Sequence, residues 1–133
     1  MTQEEKDLLS KDLCARLPYC NNLLVRYNGC DYNIIGIGFG RVTLVKPFMS
    51  FTGPSPLIEE VKPYLRPRSS MTEEEMEELF NIVKKKAMFS SSHLTLHIDG
   101  EIIDYLNKKM FDWRGLIPMN LALEAPEGMY KYV

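Results

Sequence analysis

The sequence predicts an α+β fold, and three observations support that class. Two stretches, about residues 3–17 and 73–87, repeat apolar side chains with the spacing of amphipathic helices. Between them, Asn28-Gly29 separates two segments rich in β-branched and aromatic residues, which is typical of a tight β-hairpin. The 133 residues are 45% hydrophobic and 26% charged, so the chain has the length and composition to bury a globular core.

The first helix is predicted from about Gln3 to Leu17. Thr2 and Glu5 have the spacing of a capping box, in which each side chain accepts a hydrogen bond from a free backbone N–H group of the first turn. Leu9 and Leu13 recur four residues apart and share one face of the helix. That face must pack against the rest of the fold.

A small antiparallel β-meander is predicted after this helix. Asn28-Gly29 supplies the positive φ angles that a two-residue hairpin turn requires. The predicted strands are Leu23–Tyr27, Asp31–Ile37, Arg41–Val45 and a weaker fourth at Leu57–Val61. An SH3-like half-barrel is one closed form that such a meander can take.

A proline-rich connector, Lys62–Arg68, is predicted to follow the meander. Pro63 and Pro67 lack backbone donors and hold their predecessors extended, which argues against a regular helix or a central strand. A long helix is predicted from about Glu73 to Ala87, and Thr72 and Glu75 have the spacing of a capping box at its start.

A smaller strand-helix unit is predicted at the C-terminal end. Alternation predicts a strand at His93–Ile98, then a turn at Asp99-Gly100, a short helix at Glu101–Lys108 and a loosely held end at Ala125–Val133. We expect residues 1–133 to form a single domain, and two subdomains, 1–67 and 68–133, are the alternative.

The cysteines and the hydropathy pattern predict a cytoplasmic protein. Cys14, Cys20 and Cys30 are odd in number and lack CxxC spacing, so they form neither a disulfide framework nor a zinc motif. No apolar run approaches the roughly 20 residues that a membrane-spanning helix needs. We therefore expect reduced thiols and no membrane segment.

Three blocks of the sequence carry a family resemblance. They are Lys11–Tyr19, then Val61–Arg66 running into Ser69–Glu75, and Phe111–Ile117 with Leu121–Leu123. Together they resemble a group of short proteins carried on prophages and mobile elements of gut anaerobic bacteria. The resemblance implies a bacterial cytoplasm and a mobile-element origin, and it implies no catalytic residue and no cofactor.

Protein binding is the function that the sequence favours. Tyr64, Arg66, Trp113 and Arg114 combine large aromatic rings with guanidinium groups, the side chains that most often anchor protein interfaces. No motif for nucleophilic catalysis or for a nucleotide cofactor accompanies them. We therefore expect a non-enzymatic protein that binds a bacterial or phage protein.

A nucleic-acid-binding module is the first alternative. Basic side chains interleaved with an aromatic ring can grip phosphates while a base stacks. The candidate residues are Arg26, Arg41, Lys46, Lys62 and Arg68. The formal net charge of −2 gives no overall attraction to a polyanion, so this interpretation depends on their clustering in space.

A small metal-dependent enzyme is the second alternative. His93, His97 and Asp99 offer metal-binding groups on one face of the predicted strand. Strand positions four apart lie about 13 Å from each other, too far for two imidazoles to share one zinc ion. A metal site at this position would require the segment to be helical or bent.

Overall fold

A computed structural model describes residues 1–19, 23–47, 53–88 and 92–130, with residues 86–88 and 92–99 described for their backbone. The helices and strands are α1 (Gln3–Arg16), β1 (Leu24–Tyr27), β2 (Cys30–Gly38), β3 (Arg41–Val45), β4 (Lys62–Leu65), α2 (Glu73–Met88), α3 (Ser92–Lys108) and β5 (Leu123–Glu124). Three short 3-10 helices lie at Leu17–Tyr19, Ile58–Glu60 and Arg68–Ser70. The predicted α+β class is confirmed.

The strands form one mixed sheet in the order β3-β2-β1-β4-β5. The first three strands pair antiparallel as a meander, as predicted. Strand β4 adds antiparallel to β1, and β5 adds parallel to β4. The sheet therefore takes its last strand from the C-terminal part of the chain, and the pairing does not confirm an SH3-like half-barrel.

Both hairpin turns depend on residues with positive φ angles. Asn28 and Gly29 have φ angles of 52° and 78°, and Phe39 and Gly40 have φ angles of 53° and 72°. Two consecutive left-handed residues are the mark of the turn whose twist matches that of paired strands. The asparagine-glycine signal therefore fixes the β1–β2 register, with Tyr27 opposite Cys30.

The prediction of a connector at Lys62–Arg68 is wrong, because Lys62–Leu65 is a strand inside the sheet. Pro63 lies opposite Val25 of β1, while β5 pairs only with Tyr64 and Leu65. Among the described residues, no strand on the β5 side of β4 pairs with Pro63, so its missing donor interrupts no ladder. The weaker strand predicted at Leu57–Val61 is also wrong, since a 3-10 helix occupies most of it.

The strand predicted at His93–Ile98 and the turn at Asp99-Gly100 are wrong, because both belong to α3. Short apolar runs fit a strand or a buried helix equally well, and the helical hairpin of α2 and α3 decides between them. Helix α2 is confirmed within one residue of its predicted end. The predicted helix at Glu101–Lys108 is the second half of α3.

The core lies between α1, the sheet and the C-terminal segment. Its buried residues include Leu9 and Leu13 of α1, Val25 and Ile34 of the sheet, and Leu116, Leu121 and Tyr130 beyond α3. The prediction of a loosely held end is wrong as far as Tyr130, which is 6% exposed; residues 131–133 lie outside the described chain. None of the described helices is long and apolar enough to cross a membrane.

Candidate functional site

Arg66, one of the predicted partner-binding residues, forms a clamp with Glu75 at the start of α2. Two guanidinium nitrogens of Arg66 donate to the two carboxylate oxygens of Glu75, each at 2.7 Å. One of them also donates to the carbonyl oxygen of Ser70 at 3.0 Å, and the guanidinium carbon lies 4.2 Å from the centre of the Phe111 ring. The charge and donors of Arg66 are therefore used inside the chain.

The clamp lowers the pKa of Glu75 from 4.5 to about 2. Hydrogen bonds from Arg66 are the largest cause, and the backbone N–H of Thr72 adds to them by donating to the same carboxylate at 3.0 Å. Burial acts in the opposite direction but is outweighed. The sequence predicted Glu75 as a helix cap, and its second role as the partner of Arg66 is visible only in three dimensions.

Tyr64, the second predicted residue, is buried rather than exposed, with 7% of its surface accessible. Its hydroxyl donates to Asp31 at 2.8 Å, and its carbonyl oxygen accepts from the Tyr130 hydroxyl at 2.7 Å. Burial, followed by the hydrogen bond to Asp31, raises the pKa of Tyr64. The expectation that Tyr64 is exposed is therefore wrong, and its role in binding a partner stays a prediction.

Arg114, the third predicted residue, belongs to a network centred on Asp12. One carboxylate oxygen of Asp12 accepts from Arg114 at 2.8 Å, and the two oxygens accept from Arg16 at 2.9 and 3.1 Å. Arg16 has no exposed surface and also donates to the carbonyl oxygen of Phe111 at 2.7 Å. A buried guanidinium is stable only with such compensation, so Asp12 has a structural role.

Trp113, the fourth predicted residue, is half-buried beside the same network. Its indole N–H donates to the side chain of Asn107 at 2.8 Å, and the guanidinium of Arg114 lies 4.0 Å from its ring centre. Trp113 and Arg114, neighbours in the sequence, therefore also contact each other through their side chains. Their contacts within the chain account for them, and a role in binding a partner stays a prediction.

The three blocks that carry the family resemblance meet in space. The first supplies Asp12 and Arg16, the second Arg66 and Glu75, and the third Phe111, whose ring and carbonyl oxygen contact both arginines. Within the described residues, no buried side-chain nitrogen or oxygen lacks a hydrogen-bond partner. The blocks therefore form a structural junction in which their polar groups satisfy one another.

The residues predicted to bind nucleic acid do not gather into one patch. Arg26 and Lys62 are opposite each other on β1 and β4, but Arg26 also lies opposite Asp31. Arg41 lies opposite Gly38 of β2. Gly38 is seven residues from Asp31 along that strand, a distance of about 23 Å, so Arg41 is far from Arg26. Lys62 donates to the side chain of Asn120, Arg41 to the carbonyl oxygen of Ser55 and Arg68 to that of Trp113. Lys46 is exposed beyond β3. Nucleic-acid binding stays a prediction, because these basic residues do not share one surface.

A cleft of about 550 Å³ opens between the start of α2 and the C-terminal segment. It is lined by the Arg66–Glu75 clamp and by further carboxylates, among them Glu74, Glu78 and Glu127. The Tyr105 hydroxyl donates to Glu78 at 2.8 Å, and burial together with this carboxylate raises the pKa of Tyr105 strongly. The carboxylates are solvated or already bonded, so the cleft offers no assembled ligand set.

Metal-binding groups do not converge in the part of the chain whose side chains are described, where no three histidine, cysteine, aspartate or glutamate residues could hold an ion. The side chains of His93, His97 and Asp99 lie outside that part. Their backbone is helical, so the strand distance that argued against a shared zinc does not apply to them. Cys14 and Cys30 are exposed free thiols, and Cys20 lies outside the described residues.

An exposed apolar row on α2 is the site that sequence reasoning missed. Met76, Phe80 and Val83 are 57%, 61% and 43% exposed, and with Met71 and Leu79 they line an open depression of about 280 Å³. Helical spacing predicts one apolar face on this helix, which includes Met76, Leu79, Phe80 and Val83. The structure instead turns Glu75 inward and leaves this row uncovered, within the described residues. No signal in the sequence distinguishes an uncovered apolar face of a helix from a covered one.

Comparison with known proteins found no matching family model, no matching curated protein and no matching solved structure. The resemblance to prophage and mobile-element proteins is therefore untested and stays a prediction. The geometry of the chain itself carries the functional argument.

Proposed function

We propose that this chain is a non-enzymatic protein-binding module whose recognition surface is the exposed apolar row of α2. The observation that carries the proposal is the exposure of Met76, Phe80 and Val83 at positions i, i+4 and i+7 of one helix. This spacing is the one by which helices present anchors to a hydrophobic groove or to another helix.

Covering the apolar side chains of this row would stabilise a complex. Fully burying a side chain of this size contributes about 1.5–3 kcal/mol. Contiguous apolar surface rimmed by charged residues is characteristic of protein interfaces, and here Glu73, Glu77 and Lys84 stand beside the row, all exposed. A partner that covers the row gains this energy while the rim stays in water.

The α2 row is also favoured over the partner-binding residues that were predicted from the sequence. Arg66, Trp113 and Arg114 already have partners within the chain, so a binding protein would have to replace existing hydrogen bonds. Within the part of the chain whose side chains are described, the row on α2 makes no hydrogen bonds that a partner would have to replace. The proposal also retains a bacterial cytoplasm and a mobile-element origin, which rest on the resemblance of the three blocks.

Site-specific photo-crosslinking tests the proposal. A benzophenone amino acid replaces Phe80 in the full chain expressed in bacteria, and a matched protein carries it at Phe39, a fully exposed residue in the β2–β3 turn. We expect protein adducts from position 80 and not from position 39. Absence of adducts at position 80, or the same adducts at both positions, would contradict the proposal.

A further inference from the structure

We propose that the apolar row of α2 binds the same row of a second copy of this chain, with the two helices antiparallel about a two-fold axis near Phe80. This inference rests on the proposed function for the location of the surface. The distribution of charge along α2 identifies the occupant.

Glu77 and Lys84 form a charged rail beside the apolar row. They are seven residues apart, which is two helical turns or about 10.5 Å, and seven steps of 100° bring them to nearly the same side of the helix. Both are exposed. Phe80 lies about midway between Glu77 and Lys84 along the helix. The charged rail and the apolar row therefore have nearly the same midpoint.

An antiparallel pair of α2 helices makes this rail self-complementary. Pairing about the midpoint between positions 77 and 84 places Glu77 of each copy opposite Lys84 of the other, and it brings the two Phe80 rings to the centre. The Glu77–Lys84 contact therefore occurs twice, because a two-fold interface is isologous. A parallel two-fold pair would instead place the two rails on opposite flanks of the interface, where Glu77 of one copy could not reach Lys84 of the other.

The remainder of α2 has the same polarity. Its first turn carries the exposed Glu73, one turn before Glu77 and on the same side of the helix as Glu77 and Lys84. Antiparallel packing places the acidic half of one helix along the basic half of the other, and the two helix dipoles also oppose each other favourably. A helix of 16 residues is about 24 Å long, so the interface is small. We expect a weak dimer with a dissociation constant on the order of 10–100 µM.

Charge exchange across the pair provides the test. Sedimentation equilibrium is measured on the full chain as wild type, as Glu77→Lys, as Lys84→Glu and as an equimolar mixture of the two variants. In each variant alone, both rail contacts become like-charged, so we expect its self-association to weaken by about tenfold or more. In the mixture every rail contact is again between opposite charges, and we expect association at close to the wild-type strength.

Variants of the apolar row locate the dimer. Phe80→Glu is expected to abolish association, whereas Phe39→Glu, the same change at an exposed position away from α2, is expected to leave it unchanged. Circular dichroism verifies that each variant is folded. Recovery in the mixture also shows that neither charge variant is merely unfolded.

The outcomes separate this inference from the proposed function. A wild-type chain that stays monomeric overturns the dimer, and so does a dimer that is insensitive to Phe80→Glu or to both charge reversals. Adducts from position 80 that contain only another protein leave the binding surface intact but also overturn the second copy as its occupant. An adduct twice the mass of the chain, together with recovery in the mixture, supports both.

Discussion

At the scale of single residues, the carboxylate of Glu75 couples the fold to pH. Its pKa falls from 4.5 to about 2 because Arg66 binds the ionised form, so the stabilisation is present above about pH 4.5 and is lost as pH falls towards 2. Glu75→Gln keeps the size of the side chain and removes the charge. We expect it to lower the free energy of unfolding by about 2 kcal/mol at pH 7, less than the full pKa shift implies because the pair is partly solvated.

Urea denaturation of wild type and Glu75→Gln at pH 7 and at pH 3 measures this effect. The difference between the two proteins should shrink at the lower pH, since wild-type Glu75 gains a proton on unfolding there. Glu74→Gln, a change at an exposed neighbour in the same helical turn, serves as the control and should alter stability by less than about 0.5 kcal/mol. A difference that stays constant with pH would argue against the clamp.

Asp12 and Arg114 share one contact, yet their removal should have unequal effects. Asp12→Asn leaves the fully buried Arg16 without its charge partner, which we expect to cost about 3–5 kcal/mol. Arg114→Ala leaves the Asp12–Arg16 pair intact and should cost about 1–2 kcal/mol. Thermal or chemical denaturation ranks the two variants. Equal losses would mean that Arg16 does not depend on Asp12.

At the scale of elements, the C-terminal segment is held to the sheet by Tyr130. Its hydroxyl donates to the carbonyl oxygen of Tyr64 at 2.7 Å and accepts from the backbone N–H of Leu24 at 3.0 Å. Tyr130→Phe keeps the ring and leaves both backbone groups without this partner. We expect a loss of about 1–2 kcal/mol in the free energy of unfolding, measured by urea denaturation. An unchanged midpoint would show that the ring alone anchors the segment.

Elements with local signals were predictable, and elements defined by distant contacts were not. Thr2, Thr72 and Asn28-Gly29 act on their own neighbours, so the starts of α1 and α2 and the first hairpin followed from the sequence. Strand β4 contains Pro63, and only its short pairings with β1 and β5 make it a strand. The first half of α3 is helical in the context of its hairpin with α2, which a short apolar run cannot reveal.

The proposed binding surface was harder to predict for a related reason. Aromatic and arginine side chains mark partner interfaces and buried junctions alike, so Arg66 and Trp113 could not be assigned from their type. Helical periodicity indicates that α2 has an apolar face, but the packing of the whole chain decides which part of that face is covered. The exposure of Phe80 is thus a property of the assembled fold.

At the scale of the whole molecule, contacts between residues 1–67 and 68–133 predict cooperative unfolding. Strand β5 pairs with β4, and the Arg66–Glu75 clamp joins the residue that follows β4 to α2. Arg16 of α1 donates to the carbonyl oxygen of Phe111. Each contact spans the boundary at which two subdomains would divide. We therefore expect one unfolding transition rather than two.

Two probes with different coverage measure this cooperativity. The single tryptophan, Trp113, lies in the C-terminal part and contacts Asn107 and Arg114, so its fluorescence reports that junction. Far-UV circular dichroism reports the helices and strands of the whole chain. In urea the two signals should give the same midpoint, because losing the junction removes the partners of Arg16 and Arg66 at the same time. A tryptophan transition that precedes the circular-dichroism transition would instead show that residues 68–133 unfold while residues 1–67 remain folded.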